Sequence, residues 1–144
     1  MNTPKTIQSL ADSRITEAES LYAIGHYDLA FYIAGYAVEL YLKARICKLL
    51  NIPDFFDFEN RKKFENEDNI TKPYKVHNFT QLLILSGLMS DHANMLNDIN
   101  FNGDWVIIRK WNETLRYNTG KSPKSTREFI NSVKNFTVWI NQYL

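Results

Sequence analysis

Residues 28–50 read DLAFYIAGYAVELYLKARICKLL, and their apolar side chains fall on nearly every side of the helix that this stretch predicts. A helix with no broad polar face cannot lie at a surface, so it belongs in the centre of its domain. Its small side chains would let neighbouring helices approach closely: Ala30, Ala34, Gly35 and Ala37. We therefore expect Asp28–Leu50 to be the central and most buried helix.

One narrow polar strip interrupts this helix. Its members recur at steps of three and four residues, the spacing of one helical face: Asp28, Tyr32, Tyr36, Glu39 and Lys43. Glu39 precedes Lys43 by four residues, which is the order that favours an ion pair on a helix. A buried carboxylate without a partner is costly, so Glu39 is expected to have one. The pair would then be either a satisfied polar contact or part of a ligand-binding site.

The segment before residue 28 predicts a helix of its own. Thr3-Pro4 is a typical helix start, because a capping hydroxyl is followed by a proline where no amide donor is needed. Gly25-His26 ends this helix, and Asp28 is expected to cap the next one. Arg14 falls within the apolar stripe of the first helix, so we expect it to reach Glu39 across the helix pair, as a structural or a ligand-binding contact.

The rest of the chain predicts shorter helices. About residues 51–77 form an irregular excursion, and its phenylalanines should dock part of it on the helices. Helices are then expected over the following segments: about 78–87, 91–97, 104–117 with Trp105 and Trp111 facing the core, and from Ser122-Pro123 onward. The sequence shows no strand-like alternation. These patterns predict one all-α domain over residues 1–144, an antiparallel bundle of four to five helices.

The composition is that of an ordinary globular domain, with 144 residues, 44% hydrophobic and 23% charged. Cys47 is the single cysteine, so no internal disulfide can form, which fits a reducing cytoplasm. The first residues show no signal-peptide pattern, and no apolar run is long enough to cross a membrane. We therefore expect a cytoplasmic protein with no membrane attachment.

The net charge is only +1, but the charges are unevenly distributed. Residues 105–144 carry 7 of the 17 Lys and Arg residues and 2 of the 16 acids. A basic segment of this kind could meet phosphates. Alternatively, its cations are solvated helix faces that pair with acidic helices of the same molecule.

The sequence lacks the common catalytic and metal-binding motifs. Its single cysteine and three scattered histidines (His26, His77 and His92) offer no zinc spacing. It also has no glycine-rich phosphate loop and no G-x-S-x-G elbow. We expect neither a metal nor a cofactor.

The order of residues in the first two helices is similar to that of a known family. The relevant strings are Ala11-Asp12-Ser13-Arg14, Ala18-Glu19-x-Leu21, Gly25-x-Tyr27-Asp28-x-Ala30, Ala34-Gly35-Tyr36-Ala37-Val38-Glu39-Leu40-x-Leu42-Lys43-Ala44, His77-Asn78-Phe79-x-x-Leu82-Leu83 and Trp111-Asn112-Glu113-x-x-Arg116-Tyr117. Together they resemble the HEPN family over essentially the whole chain apart from the excursion. The string of the second helix is the specific part of this resemblance.

The resemblance implies a bundle of four or five helices that commonly forms a homodimer. Many HEPN proteins are metal-independent ribonucleases. Some are toxins or defence effectors that are paired with a nucleotidyltransferase, which makes such an enzyme a candidate partner here. Catalytic members carry an Arg followed by four to six residues and then His, together with a Glu-x-x-x-Lys-like motif on the second helix. Dimerisation brings two copies of the motif together.

Only one of these two catalytic motifs is found in this chain. Glu39-x-x-x-Lys43 matches the motif of the second helix, but the Arg–His motif is absent. The nearest approach is the stretch from Lys72 to His77, and lysine lacks the planar fork with which arginine holds a phosphate. We therefore predict a non-catalytic HEPN-like module that binds a nucleotide, RNA or protein partner, in a toxin–antitoxin or phage-defence setting. The alternative is a divergent, metal-independent HEPN ribonuclease, and a third reading is a structural dimer without a ligand.

The candidate site residues follow from this comparison. The ligand-binding candidates are Glu39, Lys43, Tyr117 and Arg14. In a ribonuclease, His77 would act as acid or base and Arg116 would stabilise the phosphate. As structural alternatives, His77 would cap the following helix and Arg116 would close an ion pair. We expect His77 to lie within reach of the 39–43 strip, and Arg116 to line the same cleft or its dimer-related copy.

Overall fold

Six α-helices make up most of the computed structural model, which describes residues 3–52, 55–56 and 71–144. They are α1 (Pro4–Ala23), α2 (Tyr27–Leu50), α3 (Phe79–Leu85), α4 (Met89–Met95), α5 (Ile99–Ile108) and α6 (Pro123–Ile140). Short 3-10 turns cover Lys72–Tyr74, Glu113–Tyr117 and Asn141–Tyr143. These described residues contain no strand, and the prediction of an all-α bundle is confirmed.

Helix α1 begins and ends where the sequence predicted. The Thr3 side chain accepts from the Thr6 amide at 3.1 Å, and the Thr6 hydroxyl accepts in return from the Thr3 amide at 2.7 Å. This reciprocal capping satisfies two donors that a helix start leaves unpaired. The chain then reverses at Gly25, whose φ of +84° is one that side-chain-bearing residues rarely adopt.

Asp28 does not cap α2, as the sequence had predicted. The N-cap is His26, which makes no side-chain capping bond, and Asp28 lies in the first turn. Its carboxylate instead accepts from the backbone amides of Gly120 at 3.2 Å and Lys121 at 2.7 Å. The prediction was wrong because it considered only local donors, whereas the loop before α6 offers two amides from a distant part of the chain. Asp28 thus ties that loop to the start of α2.

Helix α2 is the central helix, as predicted. It packs against α1, α3, α6 and the Glu113–Tyr117 turn. Several of its side chains are completely inaccessible: Ala37, Val38, Tyr41, Leu42, Ala44 and Ile46. Tyr41 donates a short hydrogen bond to Asp12 of α1, and burial together with that carboxylate raises the pKa of the phenol. The first two helices are therefore joined by a polar contact as well as by apolar packing.

The segment 104–117 is not one helix, as the sequence had predicted. Helix α5 begins earlier because the Asp98 side chain accepts from the amides of Asn100 and Phe101, both at 2.9 Å. It ends at Ile108, and the Asn112 side chain then accepts from the amide of Thr114 at 3.0 Å. Such side-chain bonds offer the backbone an alternative to a continuous helix. Trp105 and Trp111 are both buried, as expected.

Helix α6 closes the bundle with one apolar face, as its pattern predicted. The face consists of Phe129, Ile130, Val133, Phe136 and Ile140, all buried, while Tyr143 lies half-buried beyond the helix. On the side toward α1, Glu19 accepts from Arg127 at 2.8 and 3.0 Å and also pairs with Lys134. These cations hold the pKa of Glu19 at about 2. Two cations of the basic segment thus pair with an acidic helix of the same molecule, as one of the two interpretations had proposed.

The excursion is described only at its two ends. Phe55 is buried in the core, and Nζ of Lys43 on α2 lies 5.6 Å from the ring centre of Phe56, so the described part docks on the helices as expected. The remainder of the predicted excursion, including Phe58 and Phe64, lies outside the described residues. Among the helices in the described ranges, none combines the length and the apolar character needed to cross a bilayer.

Candidate functional site

Glu39 of α2 is the centre of a buried polar cluster. Only 1% of its side chain is exposed, yet both carboxylate oxygens have partners. Lys43, one turn further along α2, donates to Oε1 at 2.7 Å. Nδ1 of His77 lies 2.9 Å from Oε1 and 3.0 Å from Oε2. The expectation that Glu39 has a partner is confirmed, and His77 lies against the 39–43 strip.

His77 reaches Glu39 from the chain segment that leads into α3. Asn78, not His77, caps that helix, because its side-chain oxygen accepts from the Gln81 amide at 3.0 Å. The reading of His77 as the cap is therefore wrong. With the cap supplied by its neighbour, the imidazole is directed at the carboxylate, and about half of its side chain (49%) remains exposed.

The chemistry of this contact assigns the two nitrogens of His77. An ionised carboxylate can only accept, so the proton on Nδ1 is donated to Glu39. In the neutral ring Nε2 then carries a lone pair, and in the charged ring it carries a proton. A carboxylate behind a histidine also fixes the orientation of the ring. His77 is therefore oriented and half-exposed, which suits ligand contact or proton transfer.

A cavity of about 370 Å³ lies against this cluster. We call it the inner cavity, and its lining combines apolar side chains with cations and an aromatic hydroxyl: Ile7, Leu10, Tyr36, Leu40, Lys43, Phe56, Lys75 and His77. Burial and the nearby Glu39 raise the pKa of the Tyr36 phenol, so this hydroxyl stays protonated at neutral pH. The cavity thus offers an apolar wall on one side and donors on the other.

A second cavity, of about 690 Å³, adjoins the inner cavity at Lys75 and His77. We call it the outer cavity. It lies between the start of α3, the C-terminal end of α5 and the turn that follows, and Arg109, Trp111 and Asn112 are among its lining residues. His77 therefore stands where two cavities meet.

Three of the predicted site residues lie elsewhere. Arg14 does not reach Glu39; its guanidinium binds Glu17 on its own helix at 2.7 Å. The Arg116 guanidinium lies 4.8 Å from the ring centre of Tyr117, and both side chains are exposed. Neither Arg116 nor Tyr117 lines the inner or the outer cavity. The expectation that Arg116 shares the cleft of His77 is therefore wrong within one chain, and the alternative of the dimer-related cleft stays a prediction.

Sequence reasoning missed Lys75 and Arg109 as site residues. Lys75 lies two residues before His77 and lines both cavities. Arg109 was counted only as part of the basic segment, because its place opposite His77 depends on how α5 packs. The usable signal for Lys75 was its position two residues before the candidate His77.

The described ranges contain no group of three or more His, Cys, Asp or Glu side chains placed to hold a metal ion. Comparisons with protein-family models, with curated proteins and with solved structures find no significant match to this chain. The site must therefore be judged by its own geometry.

Proposed function

We propose that the chain is a HEPN-like module that binds a nucleotide or RNA at the inner cavity without cleaving it. The observation that carries the proposal is the buried Glu39, which holds Lys43 and His77 at the wall of a cavity of about 370 Å³. Small-molecule sites typically have volumes of about 300–1,000 Å³. The family likeness of the second helix, described above, points to the same region.

The lining suits a phosphorylated nucleotide. Among the described residues around the inner cavity, Lys43, Lys75 and His77 accompany one carboxylate, that of Glu39, so the polar side favours an anion. Lysine binds phosphate as a point charge, and a histidine can donate to it. The side chains of Ile7, Leu10 and Leu40 supply an apolar wall against which a base could lie.

We expect no cleavage, because the described lining of the inner cavity offers too few groups to catalyse it. Lys43 is already engaged by Glu39, and the described residues of the lining include no arginine. Cleavage of RNA requires proton transfer at two oxygens and stabilisation of charge on the phosphate. The His77 imidazole could serve one of the two proton transfers, and Lys43, which is paired with Glu39, is poorly placed to stabilise the charge on the phosphate.

Binding can be tested with 5′-AMP by calorimetry, using a steric block that removes no charge. Leu10 lines the inner cavity and is 39% exposed, so Leu10→Trp should fill the cavity without unfolding the chain. We expect the wild type to bind AMP and this variant to bind at least about tenfold more weakly, a loss of about 1.4 kcal/mol. Leu29→Trp is the matched control, because Leu29 is similarly exposed on α2 and lines neither cavity. Equal binding by all three proteins would exclude the inner cavity as the site.

The second candidate function is a metal-independent ribonuclease, and the Glu39–His77 contact is the observation that favours it. In that case RNA would be cleaved in the presence of EDTA, and His77→Ala would abolish cleavage while His26→Ala would not. We expect no cleavage by any of these proteins. Cleavage that stops with EDTA but survives in His77→Ala would contradict both candidate functions. The homodimer and the nucleotidyltransferase partner that the family likeness implies are part of the same proposal.

A further inference from the structure

Arg109 is an arginine without a partner beside a cavity. Its side chain is exposed at the C-terminal end of α5 and lines the outer cavity. Within the part of the chain that the structure describes, it makes no hydrogen bond, ion pair or ring contact. By contrast, Arg14 and Arg127 bind carboxylates, Arg45 donates to backbone carbonyls, and Arg116 lies over Tyr117.

The outer cavity has a lining different from that of the inner one. Besides the shared Lys75 and His77, its polar side chains are those of Asn78, Thr80 and Gln81 at the start of α3, Arg109 after α5, and Asn112, Glu113 and Thr114 in the turn beyond. Trp111 also borders it, stacked on Phe79 at 5.1 Å between ring centres. Amides and hydroxyls can bond to base edges, and the Glu113 carboxylate can accept from a ribose hydroxyl.

We infer that the inner and outer cavities form one groove that takes two consecutive nucleotides of a single strand, with Arg109 as the phosphate contact of the second. This inference rests on the proposed function and adds the class of ligand, an oligonucleotide rather than a mononucleotide. Three observations support it: the cavities share Lys75 and His77, the outer one is the larger, and Arg109, whose side chain has no partner among the described residues, is the residue type best suited to bind a phosphate. A single strand fits because its bases are free to turn into separate cavities.

The test compares 5′-AMP with the 5′-phosphorylated diadenylate pApA by calorimetry. We expect wild-type protein to bind pApA about tenfold more tightly than AMP, as one added charge-assisted contact would provide. Arg109→Gln should remove most of this gain and leave AMP binding unchanged. Lys110→Gln is the matched control, because Lys110 is the exposed cationic neighbour and lines neither cavity.

Salt dependence gives a second readout. The logarithm of the pApA binding constant should fall with the logarithm of salt concentration, with a slope that Arg109→Gln reduces by about 0.7. Equal affinities for AMP and pApA, or equal losses in the Arg109 and Lys110 variants, would overturn the two-nucleotide groove while leaving the proposed function in place. Failure of both ligands to bind wild-type protein would overturn the proposed function itself.

Discussion

His92 on α4 is a buried histidine whose Nε2 has no hydrogen-bond partner among the described residues. Its ring packs edge-on against Trp105, Phe101 and Trp139, with centroid distances of 4.3, 5.5 and 5.8 Å. Because charging this ring would require its desolvation among apolar groups, burial lowers its pKa from 6.5 to about 4. No sequence pattern indicated this burial, since His92 follows Ser90 and Asp91 in a polar stretch of the chain.

The free energy of unfolding should therefore decrease in mild acid. A histidine whose pKa is lower in the folded state binds more protons when unfolded, so stability is complete above pH 6.5 and falls as the pH falls toward 4. Between pH 6.5 and 4.5 we expect a loss of about 2 kcal/mol, measured by urea denaturation. Glu19, whose folded pKa is about 2, should add its own loss only below its ordinary value of 4.5.

A pair of histidine variants isolates the residue responsible. His92→Phe should flatten the pH dependence in this window, whatever its stability at neutral pH. His26→Gln, at an exposed histidine, should keep the wild-type slope. A slope that persists in His92→Phe would show that another group titrates on unfolding.

The polar site could be predicted from the sequence only where its residues share one helix. Glu39 and Lys43 are four residues apart, so their contact follows from helical spacing alone. His77 lies 38 residues from Glu39, and its approach was expected from the family likeness rather than from any pattern. Arg14 was misassigned because α1 offers Glu17 one turn away, a contact that needs no reach across helices.

At the scale of elements, a tryptophan approaches the backbone of α2 closely. The Trp111 ring lies over Gly35, where an added Cβ would be 2.1 Å from the ring carbon Cδ1. The indole donates to the Tyr32 carbonyl at 3.1 Å, and its stacking on Phe79 leaves it little room to move. That contact explains the glycine in the middle of α2. It agrees with the expectation that the small side chains of this helix let neighbouring segments approach closely.

Gly35→Ala should therefore destabilise the fold, although alanine is the better helix former. We expect a loss of about 1–3 kcal/mol, because the ring must shift within a packed core. The matched control is Gly103→Ala in α5, where an added Cβ meets no atom within 4 Å. That variant should be more stable than wild type by about 0.5–1 kcal/mol. Thermal unfolding of both variants tests the pair, and a stabilised Gly35→Ala would contradict the close contact.

The long helices were predictable because each carries a clear signal at its ends and along its length. Thr3 and Ser122, each followed by a proline, cap their helices as expected. Helix α2 is recognisable by the apolar side chains on nearly all of its sides. The break after α5 was not predictable from periodicity. It depends on Asn112, whose side chain accepts from the Thr114 amide, just as the early start of α5 depends on the Asp98 side chain.

At the scale of the whole molecule, the aromatic residues contribute to the core of the chain. Many are stacked on one another, such as Phe31 on Phe129 at 3.9 Å. The most exposed large apolar side chains include Ile99 (86%), Tyr117 (74%) and Val138 (71%). The expectation of a homodimer rests on the family likeness.

Light scattering at micromolar concentration tests that expectation. The family likeness predicts the mass of two chains. The mass of a single chain would count against the dimer, but it would leave nucleotide binding at the inner cavity open to its own test.

The position of α2 has a consequence for synthesis on the ribosome. Its partner α1 precedes it directly across a short turn, so this hairpin can form as soon as both helices have emerged. Helix α6 is made after the other five helices, and the side of α2 that it covers stays open until it emerges. The nascent hairpin therefore presents an apolar surface while the segment up to α6 is made, which is the state in which chains aggregate or recruit chaperones.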